Sequence, residues 1–105
     1  MRMWMVDPAI MCRQHLLGEH VECHMCLSIL RIGKSIAGYI KNNCIEPQSV
    51  KIRHDQLSTE MENRGYNHQS EMILLAGEPL VFQNIKIDKA KSQKLLFDRC
   101  ESCRG

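Results

Sequence analysis

The sequence predicts an all-α fold, a single compact domain of about three helices with long connections, covering residues 1–105. Three observations predict it. Asp7-Pro8 and Glu46-Pro47 are helix openings, because Asp can cap a helix and proline suits its first position. Gly33 and Gly65 are the matching stops. Between them, Val50, Leu57 and Met61 form an apolar stripe at helical spacing, with His54 filling the remaining i+4 position.

A chain of 105 residues fits one domain with a modest core. With 44% apolar and 25% charged residues, the composition is that of an ordinary soluble globular protein. No apolar run approaches the roughly 18–20 residues needed to span a bilayer. His, Glu and Arg interrupt the first thirty residues, so no signal peptide is read there, and a cytoplasmic location is expected. A net charge of +2 announces no nucleic-acid binding, although folding can cluster the 14 Lys and Arg residues. In a reducing compartment the six cysteines read as thiols or metal ligands rather than disulfides.

Each element follows in order. Residues 1–6 are apolar apart from Arg2 and are expected to pack against helix one, with Trp4 in the core. Helix one is expected from about Pro8 to about Ile32. A connection follows over 34–46, with room for a short helix through Ile36 to Ile40. Helix two runs from Pro47 to about Arg64. Residues 66–87 read as loop, anchored by the apolar runs Ile73–Ala76 and Leu80–Phe82. Asp88 opens a third helix to about Cys103, contributing Leu95, Leu96 and Phe97 to the core.

Helix one carries the most informative stretch, Gln14-His15-Leu16-Leu17-Gly18-Glu19-His20-Val21-Glu22. At 3.6 residues per turn, His15, Glu19 and Glu22 share one face. Gly18 lies one turn before Glu22 and removes a side chain from that neighbourhood. A histidine, two carboxylates and open space on one stripe suit an active site better than a core.

Three places in the chain then match a known pattern. They are Met1-Arg2; Gln14-His15-Leu16 leading through Glu19 to Glu22; and Arg53-His54-Asp55 followed by Arg64-Gly65-Tyr66-Asn67-His68. Together they resemble the pyrimidine dimer DNA glycosylases, the phage-type endonuclease V family with its short bacterial members. The resemblance covers residues 1–70 well; further on, only the Asp88–Arg104 helix with its terminal Cys-x-x-Cys looks similar. The chain departs from the phage enzyme at Val21 and Met25, where that protein carries arginines, and lacks its aromatic, basic tail.

The resemblance implies a DNA repair glycosylase with abasic-site lyase activity, without metal or cofactor, acting on damaged double-stranded DNA as a monomer at the nucleoid. It gives the nucleophile's role to the α-amine of Met1, which bulky Arg2 should protect from initiator removal. An α-amine has an unperturbed pKa of about 7.7–8.0, so an appreciable fraction is neutral near pH 7, whereas lysine at about 10.4 would need a large shift. Glu22 would carry the catalytic carboxylate. Arg2, Arg13, His15, Arg53, Arg64, Tyr66, Asn67 and His68 would contact substrate or DNA.

Structural alternatives stand beside each role. Glu22 can be a helix-surface carboxylate and His15 a hydrogen-bonded structural histidine. Arg53 and Arg64 lie near a helix and its C-terminal end, where the dipole favours cations anyway. Tyr66-Asn67-His68 can be a packed turn. Cys23-x-x-Cys26 and Cys100-x-x-Cys103 have the spacing of a four-cysteine zinc site, which would make the chain a small zinc-binding interaction domain. Their apolar neighbours favour core thiols. A DNA-binding relative without glycosylase activity is the other alternative.

Overall fold

The computed structural model describes residues 1–73 and 85–105. Its regular elements are all helical: α1 (Arg13–Ile32), α2 (Ala37–Lys41), α3 (Val50–Asn63), α4 (Lys89–Arg99) and α5 (Glu101–Arg104). Short 3-10 turns at Pro8–Ile10 and Pro47–Ser49 precede α1 and α3. The predicted all-α class is what forms.

The two long helices pack on each other and organise the rest. α1 buries Leu16, Glu19, His20, Cys23, Cys26 and Leu27, the spacing expected of one helical stripe. α3 answers with Val50, Arg53, His54, Leu57, Ser58 and Met61. The predicted α3 stripe is therefore buried in full. Both stripes carry polar groups into the core, and those groups must be satisfied there.

Both predicted glycine caps form. Gly33 (φ 73°) and Gly65 (φ 81°) adopt the left-handed conformation that closes a helix. The Gly33 amide bonds back to Ile29 and Leu30, and the Tyr66 amide to Met61 at 2.9 Å.

Two helices are shorter than expected. Helix one does not run unbroken from Pro8, because the chain turns extended at Met11 and Cys12 before α1 begins. No glycine or proline causes this break. At the break Arg64 Nη2 donates to the carbonyls of Pro8 (3.1 Å) and Met11 (2.7 Å), and the Cys12 amide goes to Cys103 Sγ (3.2 Å). The third helix likewise breaks at Cys100, which is extended (φ −133°, ψ 105°) between α4 and α5. Of its expected core trio, Leu96 is fully buried, while Leu95 and Phe97 are partly buried against the core.

The N-terminal segment threads between α1, the 44–46 connection and α4. Met3, Trp4 and Val6 are buried, as the apolar start predicts. The Met3 amide bonds to the Cys44 carbonyl at 2.6 Å, and Ser92 Oγ donates to the Trp4 carbonyl at 2.6 Å. Met5 takes a left-handed turn (φ 58°) between these anchors. The apolar runs expected at Ile73–Ala76 and Leu80–Phe82 lie outside the described residues, except for Ile73, which is exposed.

Candidate active site

A cavity of about 620 Å³ opens where the N-terminal segment crosses α1. Met1, Arg2 and Trp4 form one wall, and His15, Gly18, Glu19 and Glu22 form the facing one. Tyr39, Asn42, Cys44 and Arg99 close it from the connection and from α4. The helix face read from sequence thus meets the chain start across one cavity. A cavity of about 680 Å³ between Met5–Asp7 and α4 is lined by none of the site residues expected from sequence.

Glu22 sits within reach of the chain start in both hydrogen bonding and charge. Burial raises its carboxyl above the ordinary value, and neighbouring Glu19 adds to this. The Arg2 amide donates to the carboxylate and, with the N-terminal and Arg2 charges, pulls the other way. A carboxyl whose affinity for a proton is raised above the ordinary is suited to proton transfer. The Arg2 guanidinium lies over the Trp4 ring, 5.2 Å from its centroid. Gly18 contributes open space, since a Cβ built there meets no atom within 4 Å.

Glu19 has a different task. Arg53 Nε donates to Glu19 Oε2 at 2.5 Å, and Nη2 to Oε1 at 2.9 Å. Arg53 Nη1 also donates to the Val6 carbonyl at 2.7 Å. One guanidinium therefore ties α1, α3 and the N-terminal segment together. The Arg53 side chain is 2% exposed, so the expected DNA contact does not fit its position. A buried charge is tolerated only when paired and hydrogen-bonded, and this one is.

The other expected contacts divide. Arg64 pairs with Glu60 at 2.7 Å and holds the turn before α1, so it is engaged within the fold. Arg13 is exposed and stacks over Tyr66, 4.8 Å from the ring centroid. Asn67 is exposed beside it. His68 turns inward: its Nε2 meets His20 Nε2 at 2.8 Å, Ser70 O at 3.0 Å and Ser58 Oγ at 3.2 Å. His20, His24, His54 and His68 form a buttress of imidazoles that joins α1 and α3 to the segment after α3. Burial, then repulsion from His54, His68 and His24, pushes His20 down to about 4.

His15 lines the cavity and meets Trp4 edge-on, with ring centroids 5.9 Å apart. Its Nδ1 faces sulfur, lying 3.2 Å from Cys12 Sγ and 3.7 Å from Cys103 Sγ. Cys23 and Cys26, expected as partners of Cys100 and Cys103 in the zinc alternative, are instead fully buried in the core. Burial raises both thiols, Cys26 to about 11, which is the behaviour of inert packing groups.

Sequence reading missed Arg99, Tyr39 and Asn42 on the cavity wall. Nothing in their local spacing marks them, because the connection and α4 reach the site only through tertiary packing. It also missed Cys12, although Cys12-x-x-His15 carries the same i, i+3 signal as Cys100-x-x-Cys103.

The fold and cavity define a small helical domain in which Met1 and the half-buried carboxyl of Glu22 on α1 share one cleft. Residues 1–74 match the family model described as pyrimidine dimer DNA glycosylase, and the chain belongs to that family. A search of curated proteins and a search of solved structures gave no match. Every residue of the sequence-level resemblance through His68 lies inside the matched span. Among the described residues, no helix is long and apolar enough to cross a membrane.

Proposed function

We propose that the chain is a DNA glycosylase with abasic-site lyase activity, using the Met1 α-amine as nucleophile and Glu22 as its proton-transfer partner. The observation that carries this reading is the shared cavity, in which Glu22 accepts the Arg2 amide and feels the N-terminal charge.

The chemistry follows from these groups. The neutral amine adds to deoxyribose C1′ while the C1′–N bond to the damaged base breaks, and the base leaves with a proton. The C1′–O4′ ring bond then breaks, O4′ takes a proton, and the nitrogen lone pair forms the C1′ iminium, an electron sink. Removal of a C2′ proton pushes electrons toward C3′ and breaks the C3′–O bond, which cuts the strand. Glu22 stabilises the positive charge at C1′ and carries the protons. Arg2, Arg13 and Arg99 are the cations placed to meet phosphate. Their contribution falls with added salt, because counterions released from DNA gain less entropy in a saltier solution. The target nucleotide or its partner must leave the helix stack, at about a few kcal/mol.

Val21 and Met25, beside Glu22 on α1, are exposed apolar residues. In the phage enzyme the equivalent positions are arginines that grip DNA. We therefore expect strand cleavage at abasic sites to survive the loss of these arginines better than recognition of pyrimidine dimers. A DNA-binding relative without glycosylase activity is the competing reading, and the same exposed pair favours it.

Glu22→Gln tests the first reading, and a parent chain that binds abasic-site duplex without cutting it would favour the second. The substitution keeps the size and the hydrogen-bond acceptor for the Arg2 amide but cannot take a proton. Cleavage of a duplex with one abasic site should fall by about 10²–10⁴-fold, the usual contribution of a positioned acid–base group. Circular dichroism and melting should show a folded protein. Unchanged cleavage would place the chemistry elsewhere.

A further inference from the structure

Four metal-ligating side chains converge beside the cavity from opposite ends of the chain. They are Cys12 and His15 at the start of α1, and Cys100 and Cys103 around α5. Their ligand atoms all lie within 4.8 Å of one another. Cys12 Sγ is 3.2 Å from His15 Nδ1 and 3.8 Å from Cys100 Sγ, and Cys103 Sγ is 3.7 Å from His15 Nδ1. A tetrahedral zinc with bonds of about 2.3 Å to sulfur and about 2.0–2.1 Å to nitrogen requires edges of about 3.5–3.8 Å. A disulfide requires sulfurs at about 2.05 Å.

Backbone donors reach two of the sulfurs. The Cys12 amide donates to Cys103 Sγ at 3.2 Å, and the amides of Ser102 and Cys103 turn toward Cys100 Sγ. The extended backbone at Cys100 breaks the third helix, and the sulfurs of Cys100 and Cys103 both meet Cys12. Cys103 is buried, while Cys12, His15 and Cys100 are half-buried, so an ion has a way in.

The second cluster, His20, His54 and His68, is held together by ordinary hydrogen bonds. Its His20–His68 contact of 2.8 Å is a hydrogen bond, and the Ser70 carbonyl is shared by His54 (2.9 Å) and His68 (3.0 Å). The cysteine cluster has only weak sulfur contacts to account for its convergence.

We propose that Cys12, His15, Cys100 and Cys103 bind a structural zinc ion that staples the C-terminal turn to the start of α1. Three thiolates and one imidazole fill the four positions, leaving none open for substrate, so the ion organises structure rather than performing catalysis. Binding through Nδ1 fixes His15 with its proton on Nε2, which makes that nitrogen a donor beside the cavity. Half of this site, Cys100 and Cys103, lies outside the family-matched span. The proposal is independent of the cavity's proposed chemistry.

The full chain, produced with zinc and purified without chelator, tests it by elemental analysis and by cobalt(II) replacement. We expect one zinc per chain, and a cobalt derivative with thiolate charge-transfer bands and the intense d–d bands of a tetrahedral site. Cys100→Ser should lose the zinc, while His20→Gln should keep it. Removing zinc with a strong chelator should lower the melting temperature and speed amide exchange in 100–105. Three results would overturn the proposal: no bound metal, a cobalt derivative lacking thiolate bands, or metal lost in His20→Gln and kept in Cys100→Ser. A Cys12–Cys100 disulfide in freshly prepared, reduced-handled protein would also overturn it.

Discussion

The Arg53 guanidinium grips the Glu19 carboxylate through two hydrogen bonds, at 2.5 and 2.9 Å, with both side chains out of solvent. The same guanidinium holds the Val6 carbonyl. The pair therefore fixes the N-terminal segment against α1, which is what brings the chain start to the Glu22 face. Arg53→Ala leaves Glu19 buried without its partner, and breaking such a pair destabilises by about 3–5 kcal/mol. Urea unfolding should report a loss of that size. Replacing both residues with methionine should lose much less, because no orphan charge remains. A nearly neutral Arg53→Ala would return Arg53 to the list of DNA contacts.

Acid should weaken the imidazole buttress. His20 titrates near 6.5 when unfolded and at about 4 in the fold, so the unfolded chain binds more protons between these values. Stability from this group is fully present above about 6.5 and is lost as pH falls toward 4. His24, also lowered by burial and by His54, acts in the same direction. Glu22, raised from 4.5, has the opposite slope just above its ordinary value. The comparison therefore needs a variant: His20→Gln should melt with a smaller difference between pH 7 and pH 5 than the parent protein. An equal or larger difference would show that His20 is not the group responsible.

Gly18 should be dispensable for folding and required for the cavity. A Cβ there meets nothing within 4 Å, and glycine in a helix interior is about 0.5–1 kcal/mol worse than alanine. Gly18→Ala should therefore raise the melting temperature. Gly18→Leu should fold but project into the space between Glu22 and the chain start, lowering cleavage of abasic-site DNA at least tenfold. Full cleavage by the leucine variant would mean that the sugar does not enter there.

How far the sequence speaks can be judged from particular residues. Gly33, Gly65 and the Val50–His54–Leu57–Met61 stripe are local signals, and each appears in the fold where expected. The shared face of His15, Glu19 and Glu22 is also local, because helix periodicity dictates it. What could not be read is which charges turn inward. Arg53 and Arg64 sit eleven positions apart on a polar-looking helix, yet one pairs with a carboxylate 34 residues earlier and the other with carbonyls more than 50 residues away. The break at Met11–Cys12 is flanked by partners from that remote arginine and from Cys103, so no window around it could reveal it. The cysteines show the same limit: spacing identifies pairs, but only the fold decides that Cys100 and Cys103 face Cys12 and His15 rather than Cys23 and Cys26.

The account rests most on the amine at the chain start. Borohydride reduction in the presence of abasic-site duplex tests it directly, because it turns a transient imine into a permanent bond. We predict a covalent protein–DNA adduct whose crosslink maps by mass spectrometry to the N-terminal peptide and disappears when the α-amine is acetylated beforehand. No adduct, or one that maps to a lysine and survives acetylation of the α-amine, would contradict the assignment of Met1.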